Sequence, residues 1–228
     1  RAQGHRFGGH PPVIPDPTKA RPRPRAQKNF TDPESRIMVD GATGAFIQAY
    51  NAHAAVDAHA QIIVAASVTQ AANDKRVFLP LLAQVETNVG GLPEAVSADS
   101  GFYSEENLTD RRLAGVDCYV PPEAYVTQPP AARTMREKLG SDAGAAIYAQ
   151  RKAIVEPVFG QIKEGRGFRR FSFRGLGPVE AEWQLICLTH NLLKLFRAQA
   201  GGGHEKKGGG PGRTRARTPG ANLGFLAP

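Results

Sequence analysis

The sequence has few of the features that mark several common protein classes. It contains two cysteines, Cys118 and Cys187, too few for a disulfide framework or a thiolate zinc site, which fits a reducing compartment. No apolar run approaches the roughly 18 residues that a membrane span needs, and no apolar signal-peptide core follows Arg1. P-loop, Rossmann-glycine, Cys-x-x-Cys and G-x-S-x-G motifs are also absent. We therefore expect a cytoplasmic chain without a membrane partner, and its start at Arg suggests a fragment.

Composition divides the 228 residues into one domain and two flanks. The chain is 41% hydrophobic and 22% charged, which is near the globular average. Residues 1–31 carry six prolines and a net charge of +6, whereas residues 201–228 are rich in Gly and Arg with a net charge of +4. We predict a disordered basic Pro-rich linker at 1–31, an ordered domain at 32–200 and a disordered Gly/Arg-rich tail at 201–228.

The ordered part is itself asymmetric in charge. Residues 32–150 hold 8 basic and 15 acidic residues, whereas residues 151–200 hold 9 basic and 4 acidic residues. This layout suits a metal-ion site beside a phosphate-binding surface. An ordinary solvated surface is the alternative that charge alone leaves open.

Apolar periodicity predicts a mixed α/β fold. Two adjacent β-branched segments form a plausible hairpin, and an amphipathic helix that ends at Gly90 follows them. Pro80 within that helix indicates a kink or a late start. The pattern predicts strands at 49–60, 61–69, 94–99 and 116–120 and a long apolar helix at 179–199. Strand–helix–strand order of this kind indicates a partly parallel sheet flanked by helices.

Asp99 is the first candidate functional residue. It ends a short buried strand and precedes Ser100-Gly101, and groups at the carboxyl ends of parallel strands face the ligand crevice. A turn-forming aspartate is the alternative interpretation.

Glu156 lies in the second candidate segment. Lys152 precedes it by four residues and Lys163 follows it by seven, so all three are expected near one helix face. Cations beside a carboxylate keep it ionised and can contact phosphate, but an exposed ion-pair ladder would have the same spacing. Pro157 predicts a kink or a restart of the helix just after Glu156.

Basic and aromatic residues alternate with glycine in a third segment, RGFRRFSFR at 166–174. This pattern suits phosphate contacts combined with base or sugar packing, although the phenylalanines could equally belong to the core. His53, Asp57 and His59 alternate on one predicted strand, which suggests a polar strand face more than a metal site.

Five segments together resemble the C-terminal half of bacterial insertion-sequence transposases of the DDE type. Each is weak alone, but the combination is specific and covers residues 29–197. The segments are NFTDPESRIM (29–38), QAYNAHAAVDAHAQIIVAASVTQ (48–70), SADSGFYSEENL (97–108), RKAIVEPVFGQIKEGRGFRRFSFRGL (151–176) and EWQLICLTHNLLKL (182–195).

The resemblance implies an RNase H-like mixed sheet in which three carboxylates hold two Mg²⁺ ions for cut-and-paste DNA chemistry. Asp99 matches the second acid and Glu156 the third. The DNA contacts implied for the basic side chains fall on Arg151, Lys152, Lys163, Arg166, Arg169, Arg170 and Arg174. Tyr148, Arg151, Glu156 and Lys163 resemble the family's tyrosine-arginine-glutamate-lysine signature. Arg151 lies five residues before Glu156 rather than the family's four, and Lys152 lies at four, so either residue could take the arginine role.

The first acid has no clear match. In the family it lies on an opening strand upstream of the NFTDPES segment, and this strand is expected to be missing here. Asp40 begins an imitation of the family motif but falls downstream, in a predicted turn, and Asp57 is a tentative substitute. The implied function is metal-dependent phosphodiester hydrolysis and strand transfer, and the alternative is a truncated, inactive DNA-binding remnant. The implied partners are transposon-end and target DNA and a second copy in a synaptic complex, in a bacterial cytoplasm close to the nucleoid.

Overall fold

The computed structural model describes residues 27–41, 43–124 and 130–201, together with the backbone of 223–227. Residues 1–26 of the linker predicted at 1–31 and most of the tail predicted at 201–228 lie outside these residues. Within the described part of the chain, no helix combines the length and apolar character needed to cross a membrane.

The described residues form two sheets and six α-helices. The strands are β1 (Arg36–Val39), β2 (Phe46–Ala49), β3 (Asn51–Asp57), β4 (Ile63–Thr69), β5 (Ala95–Ala98), β6 (Asp117–Tyr119) and β7 (Leu223–Ala227). The helices are α1 (Phe78–Val89), α2 (Glu105–Leu108), α3 (Pro130–Gly140), α4 (Asp142–Ala149), α5 (Arg151–Gly160) and α6 (Leu176–Gly201).

A five-stranded mixed sheet in the order β4-β3-β7-β5-β6 is the centre of the fold. The β3–β4 hairpin is antiparallel, as predicted, and β5 and β6 are parallel. The mixed α/β class is therefore confirmed. The small antiparallel β1–β2 sheet was not predicted, because its strands are only four residues long and mostly exposed.

The middle strand of this sheet comes from the C-terminal end of the chain. β7 pairs antiparallel with β3 and parallel with β5, so that Leu226 lies between Ala55 and Ala98. The prediction of a disordered tail from 201 onwards therefore does not hold for residues 223–227. Local composition gave no signal for this strand, since its pairing partners lie more than a hundred residues earlier in the sequence.

Apolar cores cover both faces of the sheet. On one face, Val96 and Ala98 of β5 pack with α1 and with the fully buried Phe102. On the other face, Ala54 and Val56 of β3 pack against the apolar sides of α5 and α6. This arrangement places α5 beside the carboxyl end of β5.

Helix ends follow the predicted signals at most positions. Gly90 ends α1 with a φ of 84°, and the Ser104 hydroxyl accepts the Asn107 amide at 3.0 Å to cap α2. Pro80 lies in the first turn of α1, which therefore starts late rather than kinking. After α2, Asp110 caps a separate 3₁₀ turn at Arg111–Leu113.

Helix α5 passes through Pro157 without restarting. A proline lacks the N–H that would bind the carbonyl four residues earlier. That carbonyl, of Ala153, instead accepts a hydrogen bond of 2.9 Å from the side-chain amide of Gln61. Gln61 has a φ of 58° in the β3–β4 turn, which aims its side chain at α5. A π-helical turn at Gln161–Gly165 follows α5 directly.

Candidate active site and nucleic-acid interface

Asp99 lies just past the carboxyl end of β5, as expected. One of its carboxylate oxygens, Oδ1, accepts the backbone amide of Gly101 at 2.9 Å and caps a 3₁₀ turn at Ser100–Phe102. Burial raises the pKa of Asp99, and the nearby Asp74 charge adds to this, while Arg151 and the Gly101 amide oppose it. The side chain is 28% exposed, so solvent or a ligand can reach it.

A second acid, Asp74, approaches Asp99 from the segment between β4 and α1. A Cβ placed on Gly101 would lie 2.6 Å from Oδ2 of Asp74 and 3.1 Å from Oδ1 of Asp99. Gly101 therefore lies between the two carboxylates, and a larger residue at this position would collide with them. No pattern in the sequence predicted that Asp74 lies beside Asp99.

Two side chains of β3 hold Asp74 in place. Its Oδ1 accepts hydrogen bonds from Asn51 Nδ2 at 2.6 Å and from His53 Nε2 at 2.9 Å. His53 is fully buried against the edge of Phe102, and its Nδ1 has no hydrogen-bond partner among the described residues. The sequence placed His53 on a polar strand face with Asp57 and His59, but it gave no signal for Asn51 or for the acidic partner Asp74.

Arg151 connects Asp99 to helix α5. Its Nη2 lies 3.7 Å from Oδ2 of Asp99, and its Nη1 donates to the Tyr148 hydroxyl at 3.2 Å. The guanidinium also lies 5.5 Å from the centre of the Tyr148 ring. Arg151 was predicted to contact DNA phosphates beside Glu156, whereas in the structure its guanidinium lies against Asp99.

Glu156 is exposed on α5, five residues after Arg151. Lys152 is exposed on the same side of the helix, and no ion pair between Glu156 and either Lys152 or Lys163 is found among the described residues. Lys163 instead places its Nζ 5.4 Å from the centre of the Phe159 ring. The exposed ion-pair ladder is therefore not formed, and the Glu156 carboxylate faces solvent.

Asp57 does not join Asp99. Its carboxylate accepts the backbone amides of His59, Ala60 and Ile62 at 2.8–3.2 Å and so closes the β3–β4 turn. Asp57 pairs in register with Gly224, which in turn pairs with Val96, whereas Asp99 follows the opposite end of β5. The structure thus brings Asp99 near Arg151 and α5. Asp57 lies at the opposite end of the strands.

The described residues do not fit a complete metal site. No group of three or more His, Cys, Asp or Glu side chains within them is placed to hold a metal ion. Oδ1 of Asp74 already accepts hydrogen bonds from Asn51 and His53. The Arg151 guanidinium lies beside Asp99, in the position where a metal cation would be expected. Asp99 and Asp74 supply carboxylate oxygens, but within the described residues no third His, Cys, Asp or Glu side chain, Glu156 included, is placed to complete a group of three with them.

A broad groove of about 900 Å³ lies beside α5 and α6. Four cationic side chains line it, together with aromatic rings that include Phe168 and Phe173. The cations are Lys163, Arg169, Arg170 and Arg174. Phe168 is 40% and Phe173 is 59% exposed, so the predicted mixture of cations and accessible aromatic rings is present on one surface.

Three carboxylates fix the backbone of this basic segment. The buried Glu182 accepts the amides of Ser172 and Phe173 at 2.8–3.0 Å, and Glu34 accepts the amide of Leu176 at 2.9 Å. Asp32 accepts the amide of Gly175 at 3.2 Å and the Tyr50 hydroxyl at 2.8 Å. The acids thus bind the backbone of the loop rather than its cationic side chains.

The charge state of Asp32 keeps this contact in place at neutral pH. Burial alone would raise the pKa of Asp32, but hydrogen bonds from Tyr50 and from backbone amides outweigh it and lower the pKa below its ordinary value. The same contacts and burial raise the pKa of Tyr50 to about 12. The NFTDPES segment is therefore a structural support for the basic segment.

Not every predicted DNA-contacting cation is available. Arg166 donates to the Ile186 carbonyl at 3.1 Å and to the Thr189 hydroxyl, which attaches it to α6. Arg169 pairs with Glu164 at the surface. Arg170 and Arg174 are exposed in the groove and are the clearest candidates for contact with a polyanion.

Comparison with known proteins identifies a family for this chain. Residues 16–192 match the family model described as transposase DDE domain. Searches of curated proteins and of solved structures found no match. The matched range includes Asp99, Glu156 and the whole basic segment of the groove.

Proposed function

The chain belongs to the transposase DDE family, and on that premise we propose that it contributes Asp99 and Glu156 to the metal-dependent cutting and joining of an insertion sequence. Members of this family act on DNA and generally depend on divalent metal ions. The single observation that carries the proposal is the Arg151–Asp99 contact, since it ties the helix bearing Glu156 to the strand end bearing Asp99. Mg²⁺ is the proposed ion.

Each polar group near Asp99 has a distinct part in this proposal. Arg151 positions Asp99 and balances its charge, while the Asp74–His53–Asn51 cluster fixes the carboxylate next to it. Glu156 is exposed and would hold a metal ion beside a reacting phosphodiester. The third acid of a complete site would come from outside the described residues, because the strand paired with β5, LGFLA at 223–227, contains no acidic residue.

We also propose an RNase H-like arrangement for the sheet. β7 lies antiparallel to β3 and parallel to β5, and in this proposal it takes the place of the opening strand. The missing acid is then explained by the sequence that fills this position. This point favours the second candidate function, a DNA-binding protein of transposase origin without cleavage activity.

The groove supports DNA as the ligand in either case. Arg170 and Arg174 would contact phosphates, while Phe168 and Phe173 would pack on sugars or bases. Transposon ends and target DNA are the proposed substrates, and a homodimer would hold two ends together.

A nicking assay separates the two functions. The full chain is incubated with supercoiled plasmid and Mg²⁺ or Mn²⁺, and open-circle product is measured for the wild type, Asp99→Asn, Glu156→Gln and the control Glu106→Gln. Catalysis predicts nicking by the wild type and the control and a loss of at least about 100-fold in the two site variants. Equal activity of Glu156→Gln and the wild type would reject the assignment.

The non-catalytic alternative predicts a different pair of results. No variant nicks DNA with either metal, yet the wild type binds DNA with a steep salt dependence. The double variant Arg170→Ala/Arg174→Ala should reduce the slope of log K against log salt by about 2, whereas the exposed Arg111→Ala should leave it unchanged.

A further inference from the structure

Helix α6 has two apolar faces. Its inner face packs on the sheet through a set of buried residues that includes Val179, Trp183, Ile186 and Cys187. Its outer face carries four leucines that are each 53–59% exposed, and these are Leu185, Leu188, Leu192 and Leu195. A row of half-exposed leucines on one side of a long helix is unusual for a surface that faces only water.

The outer leucines have the spacing of a helix–helix seam. They follow one another at intervals of three, four and three residues, the heptad repeat with which two α-helices pack together. Phe196 lies beside the last of them and is 67% exposed. The row therefore has the geometry of one half of a two-helix interface.

We propose that this row packs against the same row of a second copy, with the two α6 helices antiparallel. The three-four-three spacing reads the same in both directions, so a two-fold axis places Leu188 opposite Leu192 of the second copy and Leu185 opposite Leu195. Such a self-complementary contact closes a dimer and leaves no unpaired half. The inference deepens the homodimer proposed above and rests on it only for its role in DNA transposition.

Helix dipoles favour the antiparallel direction. In the antiparallel pair, the partial positive charge at the N-terminal end of one helix lies beside the partial negative charge at the C-terminal end of the other. A parallel pair would bring like ends together. Glu180 and Lys194 do not take part, because they bind Val68 and Gln61 of their own subunit on the inner side of α6.

The area is sufficient for a specific contact. Burying the four leucines and Phe196 in both copies would remove on the order of 1,000 Å² of surface from water, the lower limit for a specific interface. Residues 202–222, which follow α6, contain no Leu, Ile, Val, Met, Phe, Tyr or Trp that could cover the row instead.

The neighbouring sheet edge offers no competing route to a second copy. The outer edge of β4 is capped by side chains: Asn191 binds both the amide and the carbonyl of Ile63, and Gln184 and Glu180 bind the carbonyl of Ala66 and the amide of Val68. Edge-to-edge strand pairing is therefore blocked on this side. The leucine row is what remains exposed next to it.

Charge substitutions test the pairing and its direction. Sedimentation equilibrium of the full chain without DNA is compared for the wild type, Leu188→Glu, the double variant Leu188→Glu/Leu192→Lys and the control Phe46→Glu, an exposed apolar position on β2. We expect a wild-type dimer, weakened at least about tenfold by Leu188→Glu. The double variant should recover most of this loss, because the carboxylate introduced at position 188 would face the ammonium group introduced at position 192 of the second copy.

Each result bears directly on the inference. A wild-type monomer up to about 100 μM, or a dimer that Leu188→Glu leaves intact while circular dichroism shows native helix content, would overturn it. Failure of the double variant to recover would overturn the antiparallel direction. Because no DNA is present, these outcomes are distinguishable from failure of the nicking test.

Discussion

Two aspartates cap 3₁₀ turns in the same way but have opposite electrostatic surroundings. Asp99 caps the turn at Ser100–Phe102, and Asp110 caps the turn at Arg111–Leu113. Burial raises the pKa of Asp99, whereas hydrogen bonds from Arg112 lower the pKa of Asp110 to about 2. A carboxyl group whose pKa is raised by burial, as that of Asp99 is, is typical of a functional site.

This difference predicts opposite effects of the same substitution. The folded-state pKa of Asp99 lies above its unfolded value, so its contribution to stability declines as pH rises through that window. Asp99→Asn, which cannot ionise, should therefore raise the urea midpoint at pH 7 and leave it nearly unchanged at pH 3. Asp110→Asn should lower the midpoint at pH 7, because it removes a carboxylate that the fold keeps ionised. Urea unfolding at the two pH values measures both effects, and a lower midpoint for Asp99→Asn at pH 7 would contradict the first.

At the scale of single elements, α5 depends on a residue from a distant hairpin. Pro157 leaves the Ala153 carbonyl without its helical partner, and Gln61 supplies the missing donor. The Gln61 carbonyl also lies 3.0 Å from His190 Nε2, which joins the turn to α6. In the helix that carries Glu156, the hydrogen bond lost at Pro157 is therefore replaced by a side chain from the β3–β4 turn.

A double-mutant cycle should detect this compensation. Gln61→Ala is expected to cost about 0.5–1.5 kcal/mol of unfolding free energy, since it leaves the carbonyl without a donor. In a Pro157→Ala background the helix provides its own N–H at that position, so Gln61→Ala should cost measurably less. Chemical denaturation of the four proteins gives the coupling energy. Equal costs in both backgrounds would show that the Gln61–Ala153 hydrogen bond does not serve this purpose.

At the scale of the whole molecule, a strand of five residues closes the sheet. β7 is the only described strand that pairs with both β3 and β5, so it joins the antiparallel hairpin to the parallel half that carries Asp99. The two apolar cores lie on either side of this junction. The position of the acidic site relative to the hairpin thus depends on the end of the chain.

Breaking β7 should destabilise the entire domain. Leu226→Pro removes a backbone donor from a central strand, and we expect a loss of about 3 kcal/mol or more of unfolding free energy. Hydrogen exchange should show reduced protection at 54–57 and at 95–98, the partners of β7. Ala221→Pro, outside the strand, is the control. If the two substitutions had equal effects, β7 would not be the strand that completes the sheet.

The sequence predicted those features that depend on neighbouring residues. Alternation identified the β3–β4 hairpin, glycine marked the end of α1, and the strand-end position singled out Asp99. In each case the physical cause acts within a few residues, so it leaves a local pattern.

Other features were decided by contacts between segments that are far apart in the chain. The placement of Asp74 beside Asp99 requires β3, a loop and β5 to meet, and the central position of residues 223–227 requires pairing with strands more than a hundred residues away. The sequence by itself therefore determined the local helices, strands and turns and the kinds of side chain in the candidate site. Only tertiary packing decided which charges face one another, because burial and distance between remote side chains leave no periodic signal in the sequence.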